Sequence, residues 1–546
     1  MDSFEVFDDK QKEILNQYVT STTNSIFALK NLPEVIKGAL FSRYSRSTLG
    51  LRSLLLKEFI QNNDETGFSE IAGSKNEEVD TQEQSEAIKK AQNFYDRILD
   101  GYGDDSIGEL GGAHLAIEQV SMLATKVIED CRIGGSPLEK STRYIYFDQK
   151  TNGEYAYYKE PILMASAFRD LYKETCDLLF DTYSKLIPPL TEMLAQKTPR
   201  AHDVSKVAYT AALRAKVLDC LRGLLPAGAL TNLGVYGNGR FFEALIQKLH
   251  VSTLTEMKEI GKSTFEALNL VIPSFVRRAD ASHRHFEAFA KYHTECSLAS
   301  RQLQKKYSPS IDSKETFPVK LIRFDHDAPK KVATQLLFAN SKNSLSDLDA
   351  FVSNLSQNEI DDILNTASSF RQNRRHKSPR ALEHADFTFE VVADYGIYRD
   401  LHRHRTLTQE RQLLTCDLGY DIPHEILGTD LESDYRFAMK KAKEAFDVIR
   451  LHFPEEAQYL VPMAYNIRFY FHINLRALQW MTELRSQAAG HVNYRFVAQE
   501  MAKQVSEAIP EFERFFKFVD FEGHELGRLS QEIRTAEKLK LRELHV

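Results

Sequence analysis

Three consecutive basic residues, Arg403, His404 and Arg405, are the part of this 546-residue sequence whose types and spacing best suit chemistry. Side chains of like charge repel one another at this distance and would make a poor hydrophobic core. The triplet is therefore either a solvated turn or a site for an anion. The residues around it must distinguish the two.

A predicted strand stands before the triplet. Phe387, Phe389 and Val391 alternate with polar residues there, and alternation of this length is typical of a half-buried β-strand. Glu383 and His384 precede the strand, and a short connecting segment links it to the triplet. The basic side chains thus follow an ordered element that can hold them in place.

This frame resembles the signature of the flavin-dependent thymidylate synthases, the ThyX family, which is Arg-His-Arg followed after seven residues by Ser. The match ends after the triplet, because this chain has Leu413 and Thr415 where the family has Ser and Arg. Asp400 also replaces a Gln that the family commonly has three residues before the triplet. The resemblance rests on the triplet, the strand and four residues before it, Ser378, Pro379, Glu383 and His384.

Length and composition set the broad class. A chain of 546 residues is long enough for two to four domains. Its 42% apolar and 27% charged residues are typical of a soluble globular protein. No stretch approaches the roughly 20 apolar residues of a membrane span, and the N-terminus lacks the pattern of a signal peptide. We therefore expect a cytoplasmic protein that does not bind a membrane.

Charge and metal-ligand spacing exclude further classes. The net charge of −7 argues against a nucleic-acid binder, because such proteins usually carry a basic excess. The five cysteines form no CxxC pair, so the sequence predicts neither a disulfide framework nor a zinc site. His283 and His285 have the wrong spacing for two ligands on one helical face. We expect no metal site.

The first half of the chain carries the same frame in the same order, which predicts an internal repeat of roughly 270 residues. Pro226 precedes Asn238 by twelve positions, and Pro462 precedes Asn474 by the same distance. The expected fold is α+β of the ThyX kind, with two repeats that each contain a small mixed sheet and a helical bundle. The predicted segments are an N-terminal repeat at 1–307, a linker at 308–318 and a C-terminal repeat at 319–546.

The two repeats differ in the family residues that they keep. At the place of the triplet, the first repeat has approximately Cys131-Arg132-Ile133. It keeps the residues that correspond to the nucleotide side of the family site, which are Glu139, Ser141, Arg143 and Arg222. The second repeat keeps the triplet, and its nucleotide positions have become Arg411, Leu413, Thr415 and Gln458.

Complementary losses of this kind are compatible with activity. Family sites are formed between the subunits of a homotetramer, so each site needs only one good copy of each side. The resemblance implies a homodimer that imitates this tetramer, with two complete and two blank sites among four. The alternative is that both copies are decaying, but decay would not be expected to spare opposite halves.

The nucleotide side of the family site binds dUMP, whose monophosphate carries nearly two negative charges. Arg143, Arg222 and the hydroxyl of Ser141 would hold it by charge-assisted hydrogen bonds, beside Glu139. Each bond contributes about 1.5–3 kcal/mol, so the loss of two in the second repeat would weaken binding by roughly a hundredfold or more. By the same resemblance, Arg485 would reach the pyrimidine.

The flavin side of the family site binds FAD. A flavin that takes up a hydride gains negative charge, which a fixed cationic cluster such as the triplet would stabilise. The resemblance also implies that Asn474 and Arg476 contact FAD, and it places His384 near flavin and folate. His491 joins this set if a two-residue insertion is allowed. The alternative for Arg476 and Arg485, on one predicted helix, is an ordinary solvated arginine.

The resemblance implies a flavin-dependent methyltransferase that converts dUMP to dTMP by reductive methylation. In the family, reduced FAD supplies the hydride, 5,10-methylenetetrahydrofolate the carbon and NADPH the electrons, and no protein nucleophile attacks the base. Arg403, His404 and Arg485 are the candidate catalytic residues, and Cys131 and Cys416 are expected to be structural. Two alternatives stay open: a flavin- or nucleotide-binding protein that has lost methylation, and a flavin-dependent enzyme for another pyrimidine nucleotide.

Overall fold

The computed structural model describes residues 5–45, 47–60, 108–308 and 317–543. Most of the predicted linker, residues 309–316, lies outside this part of the chain. The chain forms two compact units that are each discontinuous in sequence. Unit 1 comprises Met1–Glu118, Val127–Glu139 and Asn232–Pro309, and unit 2 comprises Gln119–Lys126, Lys140–Thr231 and Ser310–Val546. The central part of the predicted first repeat therefore belongs to unit 2, and the repeat boundaries themselves stay a prediction.

Helices dominate the described residues, and none of them is both long and apolar enough to cross a membrane. In chain order, the α-helices are α1 (Asp9–Tyr18), α2 (Glu34–Tyr44), α3 (Leu51–Leu54), α4 (Met122–Glu129), α5 (Pro161–Met164), α6 (Arg169–Lys197), α7 (Lys206–Leu221), α8 (Gly239–His250), α9 (Thr255–Asn269), α10 (Pro273–Val276), α11 (Arg284–Tyr307), α12 (Ala328–Phe338), α13 (Leu345–Ser353), α14 (Gln357–Ser368), α15 (Tyr395–Leu401), α16 (Glu432–Ile449), α17 (Leu475–Arg485), α18 (Val492–Ala508) and α19 (Leu529–Glu543).

The described strands form three small sheets. In chain order, they are β1 (Gly112–Ser121), β2 (Gly135–Glu139), β3 (Lys150–Thr151), β4 (Glu154–Tyr155), β5 (Leu230–Asn238), β6 (Val319–Phe324), β7 (Asp386–Asp394), β8 (Thr408–Arg411) and β9 (Asn466–Asn474).

The largest sheet lies in unit 2 and has the order β6-β7-β9-β8. Its core face is built as the sequence predicts, because Phe387, Phe389 and Val391 of β7 are all buried. Phe389 pairs with Phe471 on β9, which is also buried. All three pairings are antiparallel, so this sheet is antiparallel throughout instead of mixed. Strand β6, Val319–Phe324, lies at one edge of this sheet.

Unit 1 contains a three-stranded sheet with the order β1-β5-β2, in which β2 and β5 are antiparallel. Helix α8 follows β5 and turns one apolar face inward. That face has the spacing of an amphipathic helix that covers a core. Its buried side chains are Phe241, Phe242, Leu245, Ile246 and Leu249.

The predicted repeat is visible in matching elements. Strands β5 and β9 have nine residues each and end at Asn238 and Asn474, which lie 236 positions apart. Each asparagine accepts a hydrogen bond from a backbone N–H of the next helix, Phe241 N and Ala477 N, both at 2.9 Å. Such capping satisfies an N–H that the first turn leaves unpaired. The predicted α+β fold with two repeats is confirmed.

The chain segments around Pro226 and Pro462 pair with each other inside unit 2. Ala227 N donates to Val461 O at 2.8 Å, and Met463 N donates to Leu225 O at 2.9 Å. Ala227 and Met463 are 236 positions apart, and so are Leu225 and Val461. The two bonds are therefore the same contact, with the donor in one repeat and then in the other. This reciprocity is that of a two-fold interface, in which the same surface is used twice. Equivalent parts of the two repeats therefore meet around a pseudo-two-fold axis.

Candidate active site

The triplet lies in the turn between α15 and β8. Asp394 ends β7, and its side chain caps α15 by accepting a hydrogen bond from Ile397 N at 2.9 Å. This cap fixes the start of the short helix that leads into the triplet. The side chains of Arg403 and Arg405 are exposed, whereas that of His404 is buried.

His404 is paired with an arginine instead of a carboxylate. Arg485 Nε donates a hydrogen bond to His404 Nε2 over 2.9 Å. A ring nitrogen that accepts carries no proton, so the imidazole is neutral and its proton lies on Nδ1. Burial and the charge of Arg485 hold the pKa of His404 well below its usual range. Only the two arginines of the triplet therefore carry charge.

A cavity of about 160 Å³ lies beside the triplet in unit 2. Its lining contains seven cationic side chains and one carboxylate, that of Asp400. An excess of cations around a small concave space attracts an anion. We name this space the cationic cavity. Its cations are Lys140, Arg143, Arg222, Arg399, Arg403, Arg485 and Arg528.

Both predicted repeats contribute to the cationic cavity. Ser141, Arg143 and Arg222 come from the first repeat, and Arg403 and Arg485 from the second. These residues were predicted for the nucleotide and flavin sides of one site. The structure brings the five together, while their individual roles stay a prediction.

Arg143 is held by an internal carboxylate. Its Nε and Nη2 donate to the two oxygens of Asp219 at 2.5 and 2.6 Å, a bidentate pair. Its Nη1 donates to Tyr494 Oη at 3.1 Å. Although burial raises the pKa of Asp219, the charge of Arg143 outweighs it and holds that pKa well below its usual range. Most of the donors of Arg143 are therefore engaged within the protein.

Arg222 also faces a carboxylate. Its Nη1 donates to Asp400 Oδ2 at 2.9 Å, and both side chains are buried. Burial raises the pKa of Asp400, but Arg222 and then Arg143 lower it far more, so that the carboxylate stays ionised. The Nη2 of Arg222 is buried and has no hydrogen-bond partner among the described residues. Arg222 thus keeps an unused donor.

A second cavity of about 300 Å³ also lies in unit 2, and its lining shares Arg222 and Arg528 with the cationic cavity. Asn493 Nδ2 donates to Asp394 at 2.8 Å and to Asp421 at 2.9 Å within this lining. Burial and the charge of Asp421 raise the pKa of Asp394 to about 7. The side chain of Asp394 thus exchanges a proton near neutral pH.

His491 lines this second cavity, away from the triplet. Its Nε2 lies 3.2 Å from Asp219 O, and its Nδ1 accepts from Asn493 N as the cap of α18. Burial and the charge of Arg222 lower the pKa of His491 to about 3, so the ring is neutral. Its neighbours are therefore those of the predicted nucleotide side, whereas the sequence prediction assigns it to flavin.

Four other residues predicted for the flavin side lie at one end of the unit 2 sheet. Asn474, the last residue of β9, pairs with Asp386, the first residue of β7. Strands β7 and β8 both run antiparallel to β9, so their starts share the end at which β9 stops. His384 precedes β7, Arg405 precedes β8 and Arg476 follows β9.

Ser378 and Glu383, which precede β7, bind the side chain of Arg476. Arg476 Nη1 donates to Glu383 Oε1 at 2.5 Å, and its Nε donates to Ser378 O at 2.8 Å. The side chain of His384 is exposed, and the amide of Asn474 caps α17. Two residues of the sequence frame, Ser378 and Glu383, thus contact Arg476 directly.

Two segments of the chain match one known protein family. The profile of the Thy1 family, described as thymidylate synthase complementing protein, matches residues 62–274 and 320–511, which together are more than half of the chain. The chain belongs to the Thy1 family. Its two matched segments confirm the predicted tandem arrangement. Thy1 membership supports a thymidylate synthase-like function.

Relatives of this Thy1 chain share its length. A UPF0159 protein of Chlamydia muridarum is 52% identical over 97% of this chain and 98% of its own. A UPF0159 protein of Thermoplasma acidophilum is 33% identical over 91% of this chain and 98% of its own. Among solved structures, the UMP/dUMP methylase PolB of Streptomyces cacaoi, bound with 5-Br dUMP, has 19% identity, covers 37% of this chain and 95% of that chain, and has a TM-score of 0.29.

Sheet register aligns the two Thy1 repeats independently of the motif. Glu139 pairs with Leu233 in unit 1, and Arg411 pairs with Phe469 in unit 2. Leu233 and Phe469 are 236 positions apart, as are the two capping asparagines. Glu139 and Arg411 are therefore equivalent, as the sequence predicts, and the pairs that follow are Ser141 with Leu413 and Arg143 with Thr415. Glu139 itself is buried.

In the second Thy1 repeat, the position that corresponds to Arg222 is occupied by an uncharged residue. Gln458 is buried there, and its Oε1 accepts from Leu414 N at 3.1 Å. Its Nε2 donates to Glu455 O at 3.0 Å. An amide satisfied in this way has no charge and few free donors for a phosphate.

The first Thy1 repeat has reversed a charge at the place of the triplet. Helix α4 follows β1 as α15 follows β7. Asp130 and Arg403 each stand eight positions after the first residue of their helix, so the two positions are equivalent. Asp130 pairs with Lys248 Nζ at 2.7 Å. Asp130 directly precedes the segment Cys131-Arg132-Ile133 that the sequence places approximately opposite the triplet. A carboxylate at this place cannot serve as an anion ligand.

The residues that were not predicted from the sequence include Arg399, Tyr494 and Arg528, which line the cationic cavity, and Asp219, which pairs with Arg143 beside it. Asp219 stands three positions before Arg222, which follows the last residue of α7, and this spacing was a usable signal, since helical side chains three apart share a face. Tyr494 stands three positions after His491. Arg528 lies beyond the Thy1-matched segments and has no motif around it.

Proposed function

We propose that the chain is a flavin-dependent thymidylate synthase that methylates dUMP reductively to dTMP at a composite site. The observation that carries this proposal is the cationic cavity, which Arg143 and Arg222 of one repeat line together with Arg403 and Arg485 of the other. Membership of the Thy1 family supports the same class of reaction.

The charge of the cavity suits a nucleoside monophosphate. Seven cations surround it against one carboxylate, and guanidinium groups bind phosphate oxygens through directed, charge-assisted hydrogen bonds. The hydroxyl oxygen of Ser141 accepts from Arg143 N at 3.2 Å, which leaves its proton for a phosphate oxygen. Arg222 offers the unused Nη2 described above.

His404 acts as a positioning residue in this proposal. A neutral imidazole adds no positive charge, but its Nε2 fixes the guanidinium of Arg485 at the wall of the cavity. Arg403 and Arg485 then supply fixed positive charge, and preorganised charge stabilises negative charge that develops during the reaction. Arg485 is the residue that we expect to contact the pyrimidine.

FAD fits the donors at the end of the unit 2 sheet. The exposed guanidinium of Arg405 and the exposed imidazole of His384 can donate to phosphate oxygens, and Arg403 stands two positions before Arg405 in the triplet. Asn474 and Arg476 are already engaged in part, so they would hold FAD through their remaining N–H groups. When bound, reduced FAD supplies the hydride, 5,10-methylenetetrahydrofolate the carbon and NADPH the electrons.

A thiolate mechanism has little support. Burial raises the pKa of the Cys131 thiol and of the Cys416 thiol, so both stay protonated at neutral pH. Neither residue lines the cationic cavity. Catalysis would rest on positioning and electrostatics.

Tritium release from 5-tritiated dUMP, with FAD, NADPH and 5,10-methylenetetrahydrofolate present, tests the proposal. We expect release by the unaltered protein and a loss of about tenfold or more in Arg403→Ala. The matched control is Arg375→Ala, which removes an exposed arginine outside the cavity and should keep the rate. No release from protein that binds and reduces FAD would overturn thymidylate synthesis.

A second candidate function is favoured by one observation. Asp219 and Asp400 already neutralise the two arginines that were predicted to hold the phosphate. This arrangement suits a pyrimidine ligand other than dUMP, in a flavin-dependent enzyme or in a binding protein that has lost methylation. A thermal-shift screen of pyrimidine nucleosides and nucleotides separates these cases, because the preferred ligand should raise the melting temperature most.

Flavin stoichiometry tests the composite site. Complementary repeats in a homodimer have two complete sites for two chains, so titration should give one FAD per chain. Two FAD per chain would contradict the division of labour between the repeats.

A further inference from the structure

Arg528 is a buried cation that has no counter-ion among the residues that the structure describes. It is 8% exposed, and its Nε and Nη1 have no hydrogen-bond partner among the described residues. Its guanidinium lies over the ring of Tyr144 at 4.4 Å. No carboxylate within the described ranges forms an ion pair with it, in contrast to Arg143 and Arg222.

The segment that carries Arg528 is held in place by specific contacts. It follows the second Thy1-matched segment, which ends at residue 511. Arg495 Nη2 donates to Glu522 O at 2.6 Å, and Gln499 Nε2 donates to Asp520 O at 2.7 Å. Next to Arg528, a Cβ on Gly527 would lie 1.8 Å from the backbone oxygen of Ala488, so only glycine fits there.

The position of Arg528 suits the binding of an anion. It lines both the cationic cavity and the larger second cavity, as does Arg222 with its unused Nη2. A buried guanidinium without a partner is unfavourable, and buried charges in proteins are normally paired. A ligand that brings negative charge to this wall would satisfy the unused donors of both arginines at once.

We propose that Arg528 binds a phosphoryl group of the ligand, so that the segment after residue 511 is part of the binding site. In this arrangement Arg143 is held mainly by Asp219, and Arg528 takes over much of the phosphate contact that the family resemblance gives to Arg143. The assignment of the phosphoryl group as the 5′-phosphate of a pyrimidine nucleotide rests on the proposed function. The anion site at Arg528 does not.

Binding of dUMP, deoxyuridine and inorganic phosphate to the full-length protein tests this proposal. Arg528→Met keeps the apolar bulk and should weaken dUMP binding by about 10- to 100-fold while deoxyuridine binding stays unchanged, because only the phosphate contact is lost. Arg528→Lys keeps the charge, so its affinity for dUMP should lie between those of the unaltered protein and Arg528→Met. The matched control Arg534→Ala removes an exposed arginine of α19 and should bind dUMP as the unaltered protein does.

Thermal unfolding gives a readout that a merely structural arginine would not produce. Without phosphate, Arg528→Met should melt at the same or a higher temperature, because it removes an unpaired buried charge. With millimolar phosphate, the unaltered protein should gain in melting temperature and Arg528→Met should not. The proposal would be overturned by the following pair of results. Arg528→Met melts at a lower temperature than the unaltered protein without phosphate, and phosphate raises the melting temperature of Arg528→Lys and Arg528→Met as much as that of the unaltered protein.

The phosphate and dUMP experiments separate the two proposals. If phosphate stabilises the protein through Arg528 but dUMP does not bind, the proposed function fails and the anion site stands. If dUMP binds and tritium is released equally well by Arg528→Met and the unaltered protein, the proposed function stands and the assignment of Arg528 is wrong.

Discussion

Arg485 Nε donates a hydrogen bond to His404 Nε2 over 2.9 Å, so the central residue of the basic triplet is an acceptor. Histidine is often assumed to add positive charge next to arginines. Here a protonated ring would place two donors against each other, which the geometry excludes. The positive charge of the triplet therefore belongs to its two arginines, and Arg485 adds a further charge next to His404.

The first prediction concerns the charge of His404. Its imidazole should stay uncharged through the pH range in which an ordinary histidine titrates, because burial and Arg485 hold its pKa well below the usual range. In Arg485→Gln the pKa of His404 should rise but stay below its usual range, since one of the two causes is removed and burial remains. Nitrogen-15 NMR of labelled histidine measures both, and a His404 signal that titrates near pH 6.5 in the unaltered protein would contradict this assignment.

The second prediction concerns the buried pair of Arg143 and Asp219. Arg143→Met and Asp219→Asn should each lower the free energy of unfolding by about 3 kcal/mol, because each leaves one buried partner unpaired. The double variant should be less destabilised than the sum of the two single variants. Denaturant unfolding of the four proteins measures this. Additive losses would mean that the ion pair adds nothing to stability.

The third prediction concerns Asp400, which holds Arg222 at 2.9 Å. Asp400→Gln restores the residue type that the ThyX family commonly has and removes a negative charge from the cationic cavity. Under the proposed function, dUMP should bind about tenfold more tightly, because Arg222 is freed for the phosphate. Calorimetric titration measures the affinity. Weaker dUMP binding in a folded Asp400→Gln protein would favour a ligand that needs the carboxylate.

The fourth prediction concerns Asp394 and pH. Burial and Asp421 raise its pKa from 3.8 to about 7, so the folded state keeps a proton that the unfolded state releases. Its contribution to stability therefore falls as the pH rises from about 4 to 7 and is constant above that range. Between pH 5 and 7.5 the free energy of unfolding should fall by about 2 kcal/mol relative to Asp394→Asn. A constant difference between the two proteins would contradict the raised pKa.

Several features were predictable from the sequence because they are local or periodic. The alternation of Phe387, Phe389 and Val391 identifies β7, since a strand turns every second side chain to the core. The equal spacing of Pro226 to Asn238 and of Pro462 to Asn474 identifies the repeat. Both asparagines cap the helix that follows them, and a cap is formed by residues three positions apart.

The charge state of the site was decided by tertiary structure. Asp219, 76 positions from Arg143, and Asp400, 178 positions from Arg222, become ion-pair partners only through packing. His404 loses its charge because burial and an arginine 81 positions away disfavour protonation. Sequence spacing determines which residues share an element. Burial and long-range pairing determine which of their charges and donors stay available to a ligand.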